Sequence, residues 1–179
     1  MKQLITCIFL CTIFLVACNS TDKDDAAGKD LVKIVTKPFS DSLKADTFKV
    51  QILGDKPDNM HLAFSITSFS GKQIYDVDIK ATDLFKNYIA TIDLSKKKNQ
   101  IKFLQEEVNR FFDDENFMEP AVDEADLPDA NVPDKAFFDE LKKNRLNGFI
   151  YRLGKESKNY VAWSDKEGKV KTYYTCCTK

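Results

Sequence analysis

The chain is predicted to be an α+β domain in which two antiparallel β-meanders flank a central helical segment, in the order β-β-β-α-α-β-β-β. Three observations carry that prediction. Apolar and polar residues alternate with period two between Thr47 and Lys80. A three- and four-residue apolar rhythm replaces it between Lys96 and Phe112. The period-two pattern then returns from Phe149 to Cys176. Strands and helices leave these two signatures because side chains alternate across a strand and recur every 3.6 residues around a helix.

In order, Leu31 to Val35 is a short apolar alternation and a candidate first strand. Thr47 to Leu53 sets Phe48, Val50 and Ile52 against polar neighbours, the pattern of a half-buried strand. The turn residues GDKPDN follow, and Met60 to Phe69 then places Leu62, Phe64 and Ile66 on one face. Ser70-Gly71 reverses the chain into Gln73–Lys80, completing a three-strand meander over residues 47–80. A short helix is predicted from Thr82, with Asp83 near its start. A longer one covers Lys96–Phe112, its core stripe formed by Ile101, Leu104, Val108 and Phe111.

Next comes DDENFMEPAVDEADLPDANVP, acidic, punctuated by proline, and long enough to be a functional or mobile loop. Pro133 is predicted to open the next helix, Phe137, Phe138 and Leu141 to form its inner face, and Asn147-Gly148 to end it. Three further strands, Phe149–Leu153, Asn159–Ser164 and Lys169–Cys176, complete the domain, the last two joined by a hairpin loop with Gly168 where φ is positive. The helices are expected to pack on one face of the sheet.

The N-terminus has a different character. One positive charge, Lys2, precedes Leu4–Val16, an uncharged stretch of mainly apolar residues. Thirteen helical residues rise only about 20 Å, short of a bilayer's hydrocarbon core of about 30 Å, so a cleaved signal peptide is expected rather than a membrane span. Leu15-Val16-Ala17-Cys18 resembles the lipobox of bacterial lipoproteins. That resemblance implies removal of residues 1–17 and a diacylglyceryl group on the Cys18 thiol, with the new amine usually acylated. It spans about twenty residues and implies nothing about the domain behind them.

Asn19, where an aspartate tends to retain such lipoproteins at the inner membrane, implies the outer membrane, facing periplasm or cell surface. Lys23-Asp24-Asp25 resembles the surface-export signal of Bacteroidota lipoproteins, although it lies further from the cysteine than usual. A charged linker is the competing reading. Residues 18–30 are polar and read as a tether, leaving 31–179 as one domain.

Basic and acidic residues number 27 and 28, a balance that offers nucleic acid no basic footprint. Their placement is uneven: eleven acids and one base, Arg110, between Glu106 and Asp134, then eleven bases and five acids to the end. Such runs form a dipolar surface if segregated in space, and otherwise simply solvated faces.

His61 is the single histidine, so a multi-histidine metal site is not expected, and because it reads as a surface residue a serine–histidine–acid triad is not expected either. No phosphate-binding glycine loop, HExxH or GxSxG occurs. No cofactor and no catalytic residue is assigned. Asp113, Glu115 and Glu124 have the spacing of an EF-hand, but Phe117 and Met118 stand where that loop needs an oxygen ligand and a glycine. A looser carboxylate site and a solvated acidic loop both remain open.

For Cys176 and Cys177, which survive processing, three readings stay open: free thiols, a vicinal disulfide, and soft-metal capture or intermolecular bonding. The candidate binding face comprises Asp113, Glu115, Phe117, Glu119, Asp123 and Glu124 with Tyr151 and Trp163, acidic positions beside aromatic ones. The expected function is a non-catalytic protein- or peptide-binding module on a membrane anchor, with a toxin-neutralising inhibitor as one subtype. The alternatives are a small-ligand or metal carrier using the cysteine pair or an aromatic groove, and a carboxylate-based hydrolase.

Overall fold

A computed structural model describes residues 31–177, apart from 57, 87 and 155. The expected signal segment, Cys18 and the tether lie outside the described residues. Two four-stranded antiparallel sheets account for most of the fold. The first is a meander of β1 (Val32–Pro38), β2 (Ala45–Leu53), β3 (His61–Thr67) and β4 (Gln73–Lys80). The second is built in the same order from β5 (Phe117–Met118), β6 (Gly148–Arg152), β7 (Lys158–Ser164) and β8 (Lys169–Cys176). Between them run α1 (Ala81–Phe85) and α2 (Lys97–Arg110), while α3 (Lys135–Asn144) precedes β6.

Alternation sets the register of the first sheet. Phe48 stands opposite Ile66, Val50 opposite Phe64 and Ile52 opposite Leu62, and all six are at most 4% exposed. A one-residue slip would turn the whole set to solvent. The leading strand is a full partner in this sheet, so the first meander has four strands rather than three.

The helices do not share one face. α2 packs on β1 and β2, and its Phe103, Leu104 and Val108 join a core that also takes Phe149, Tyr151 and Val161 from the second sheet. The opposite face of that sheet carries Ala162 and Tyr173. It forms a second core with Phe137, Phe138 and Leu141 of α3 and with Ala121, Val122 and Val132. The acidic segment is thus pinned by apolar side chains and by backbone bonds from Ala121 N to Leu146 O (2.9 Å) and from Thr175 N to Asn131 O (3.1 Å).

Both ends of α3 differ from expectation. Asp134, not Pro133, sets the start, its carboxylate accepting from Phe137 N at 3.1 Å. Arg145 takes the left-handed position at the end, φ 54°, with its N–H on Leu141 O. Gly148 lies beyond, as the first residue of β6. Gly168 does have positive φ, 61°, in the β7–β8 hairpin.

Candidate functional site

A cleft of about 290 Å³ opens where the end of α2 meets the second sheet. Its apolar lining is Leu62 of β3, Leu84 of α1, Phe111 just past α2, and Ile150 of β6. The last turns of α2 contribute Glu107 and Arg110, and a 3₁₀ turn at Asp114–Asn116 contributes Glu115 and Asn116. Tyr151 and Arg152 come from β6, and Lys158 opens β7.

One wall is already neutralised. Arg152 donates through Nη2 to both carboxylate oxygens of Glu107, and through Nη1 to Tyr88 Oη at 2.7 Å. Burial works against the guanidinium's charge, but the hydrogen bond and charge of Glu107, helped by Tyr88, outweigh it and hold the proton more tightly than usual. Both Glu107 oxygens are thus engaged by the one guanidinium, which neutralises the carboxylate's charge at this wall.

Tyr151 is held from behind. Its hydroxyl accepts from Asn159 Nδ2 at 2.7 Å and lies 2.6 Å from Tyr75 Oη. Burial, reinforced by Tyr151, raises the Tyr75 phenol well above its ordinary range. The Tyr75 phenol is therefore no base near neutrality. Arg110, Lys158 and Glu115 differ from these groups, for none has an ion pair or side-chain hydrogen bond among the described residues. Two cations and one carboxylate thus border an apolar floor without partners.

Of the residues singled out from sequence, Glu115 and Tyr151 line this cleft. Tyr151 is only 4% exposed and Phe117 is packed against Phe48, Phe112 and Phe149, so neither offers an open aromatic face. Asp113 precedes the 3₁₀ turn, and Glu119 pairs with Lys37 at 3.7 Å. Asp123 and Glu124 lie elsewhere, near α3, where Glu124 meets Arg145 Nη1 at 3.3 Å. Trp163 is half-buried, its Nε1 donating to Asp165 at 3.0 Å.

The acidic run and the basic C-terminal third interleave, through Glu124–Arg145 and Asp134–Lys171, and do not form two separated poles. Among the described residues no three side chains of metal-ligating type converge. His61 sits half-exposed on the outer side of β3, within 3.5 Å of Asp78.

The structure joins Cys176 and Cys177 by a vicinal disulfide, with Cys176 opposite the cleft residue Lys158. Sequence reasoning missed Glu107, Arg152 and Lys158. The pairing of Glu107 with Arg152 spans 45 positions and leaves no local signature. Arg110 had one, as the single base in an acidic run.

The chain matches no family model, no curated protein and no solved structure.

Proposed function

We propose that this chain is an outer-membrane lipoprotein, anchored through lipid on Cys18, whose folded domain binds a segment of another protein in the cleft between α2 and β6. The observation that carries the binding reading is the set of unpartnered charges, Arg110, Lys158 and Glu115, around the floor of Leu62, Leu84, Phe111 and Ile150. A peptide supplies such a border with both signs of charge and an apolar side chain for the floor. At about 290 Å³ the cleft falls at the lower limit of small-molecule sites. A tether would hold the domain near its target and raise effective concentration without further contacts.

The small-ligand reading has fewer rings to draw on, because Phe112, Phe117 and Phe149 pack together with Phe48 at 5.0–6.5 Å between the sheets. It keeps the cleft itself, as a site for a small anion held by Arg110 and Lys158. The metal-carrier reading would first require reduction of the Cys176–Cys177 bond. A glycosidase-type carboxylate hydrolysis needs two carboxyl groups flanking the scissile bond, and at the cleft Glu107 already carries an ion pair with Arg152.

Full-length protein captured from detergent extract is expected to retain a specific partner that Arg110→Glu with Lys158→Glu loses, with thermal unfolding unchanged. Capture of the same proteins by both forms would overturn the binding reading. Point variants are the right tool, since scrambling 113–134 would also remove Ala121, Val122 and Val132 from the second core. The anchor is tested by intact mass, expected to show a chain beginning at a diacylglyceryl-modified Cys18. An unmodified polypeptide, or one still starting at Met1, would remove it.

A further inference from the structure

We infer that the turn joining α1 to α2 is a membrane-docking surface for anionic phospholipid headgroups, and that it sets the domain's orientation on its anchor. The inference rests on the anchor reading for its setting, but not for its chemistry. Ile89 is 67% exposed and Ile92 37% exposed. Both project from a braced turn, in which Tyr88 O accepts from Thr91 N at 2.9 Å and from Ile92 N at 2.8 Å. Below them Leu94 is buried and Tyr88 packs on Phe103. Three residues apart on a helix-like turn, the two isoleucines share a side.

Around them the charge is one-sided. Residues 86–102 hold five lysines, of which Lys86 is paired with Asp83 at 2.6 Å and Lys96 with Asp93 at 3.9 Å, leaving Lys97, Lys98 and Lys102 in excess, in a chain of net charge −1. Lys97, Lys98 and Lys102 are exposed and have no ion pair among the described residues. Lys96–Lys98 also stand at the N-terminus of α2, the positive end of the helix dipole, with no acid in its first turn. Helix stability alone disfavours that placement. An anionic surface opposite would compensate it, and exposed apolar residues flanked by lysines are what such a surface recruits.

Topology supplies an independent argument. The helix that leads into the turn, α1, leaves the first sheet at the end where β1 starts, β2 ends, β3 starts and β4 ends. Ile52 N bonds Leu31 O at 3.3 Å there, His61 stands opposite both Leu53 and Lys80, and Ala81 N bonds Met60 O at 3.0 Å. Leu31, the first described residue of the domain, is therefore at the end of the first sheet from which α1 and the turn after it depart. Leu43, 91% exposed in the β1–β2 turn, is at the other end and serves as a control.

The test is hydrogen exchange on the full-length chain reconstituted with phosphatidylglycerol vesicles, phosphatidylcholine vesicles, or soluble glycerol phosphate. Amides of 88–98 are expected to exchange several-fold more slowly with phosphatidylglycerol vesicles only. Ile89→Ser with Ile92→Ser, and separately Lys97→Glu with Lys98→Glu, should each abolish the protection, while Leu43→Ser leaves it intact. Equal exchange in both vesicle types, equal protection by soluble glycerol phosphate, or protection that survives both double variants would overturn the inference. Intact mass on the same sample reports the anchor separately. A lipid-modified chain without protection defeats the docking surface alone, and protection without lipid defeats the anchor alone.

Discussion

Gly148 is glycine because of what stands beside it. A Cβ at that position would lie 2.8 Å from Tyr173 Oη and 3.0 Å from Ala121 Cβ, inside the normal contact limit for both. Gly148→Ala is therefore expected to cost about 1–3 kcal/mol, as overpacking of a filled core does, measured by urea denaturation. The hydroxyl that blocks it is itself poorly placed, for Tyr173 Oη is buried with no hydrogen-bond partner among the described residues. Removing a buried polar atom that lacks a partner relieves its desolvation, so Tyr173→Phe should stabilise the fold by about 1 kcal/mol. The double variant should recover part of the Gly148→Ala loss, because the nearest obstructing atom has gone. Simple additivity would mean that Ala121, and not the tyrosine, sets the limit.

At the level of elements, α3 is tied down through one carboxylate. Asp134 caps the helix by accepting from Phe137 N and also receives Lys171 Nζ of β8 at 2.8 Å. The hydrogen bond from Lys171, followed by that from the Phe137 amide, holds the Asp134 carboxyl below its ordinary value of 3.8. A carboxyl depressed in the folded state contributes stability that is present above its unfolded value and lost as pH falls through the folded one. Asp134→Ala should cost about 1 kcal/mol at pH 7. Asp134→Asn should keep most of the cap and flatten the loss of stability below about pH 4, read as urea midpoints between neutral and acid pH. An Asn variant with the wild-type acid limb would place that limb on other carboxylates. Elements of this kind were partly legible in the sequence. The stripe of Leu104, Val108 and Phe111 and the hairpin at Gly168 declare themselves locally, through periodicity and turn chemistry. β1 escaped full recognition because its pattern runs backwards: Val32 and Ile34 face solvent, while Lys33 and Lys37 point to the core side and reach Asn109 O and Asp114. The C-terminus of α3 escaped because Arg145 takes a position usually given to glycine. The cleft was illegible for another reason: its walls come from β3, α1, α2, β6 and β7, and only tertiary packing brings them together.

For the molecule as a whole, the question is what makes two meanders one folding unit. The answer is an aromatic contact layer crossed by one polar bond. Phe64 of the first sheet lies 5.1 Å from Phe149 and 5.7 Å from Tyr151 of the second, and also meets Phe111 and Phe112 between them. Phe64→Ala should cost about 3–5 kcal/mol and lower the unfolding midpoint of both sheets together, in one transition. Two separated transitions would mean that each sheet is stable without the other. The polar bond, Tyr75 Oη to Tyr151 Oη, gives the joint a pH dependence. Burial first, and then the adjoining Tyr151, raise the Tyr75 phenol above its ordinary 10.0, and burial likewise raises Tyr173 in the second core. A phenol raised in the folded state contributes stability that is complete below its unfolded value and is lost as pH rises through the folded one. Stability should therefore fall above about pH 10, with tyrosinate absorbance from these two rings appearing only as the chain unfolds. Tyr75→Phe and Tyr173→Phe together should flatten that alkaline fall. All six tyrosines ionising before any loss of circular dichroism would show that neither ring is shielded and that water reaches both cores.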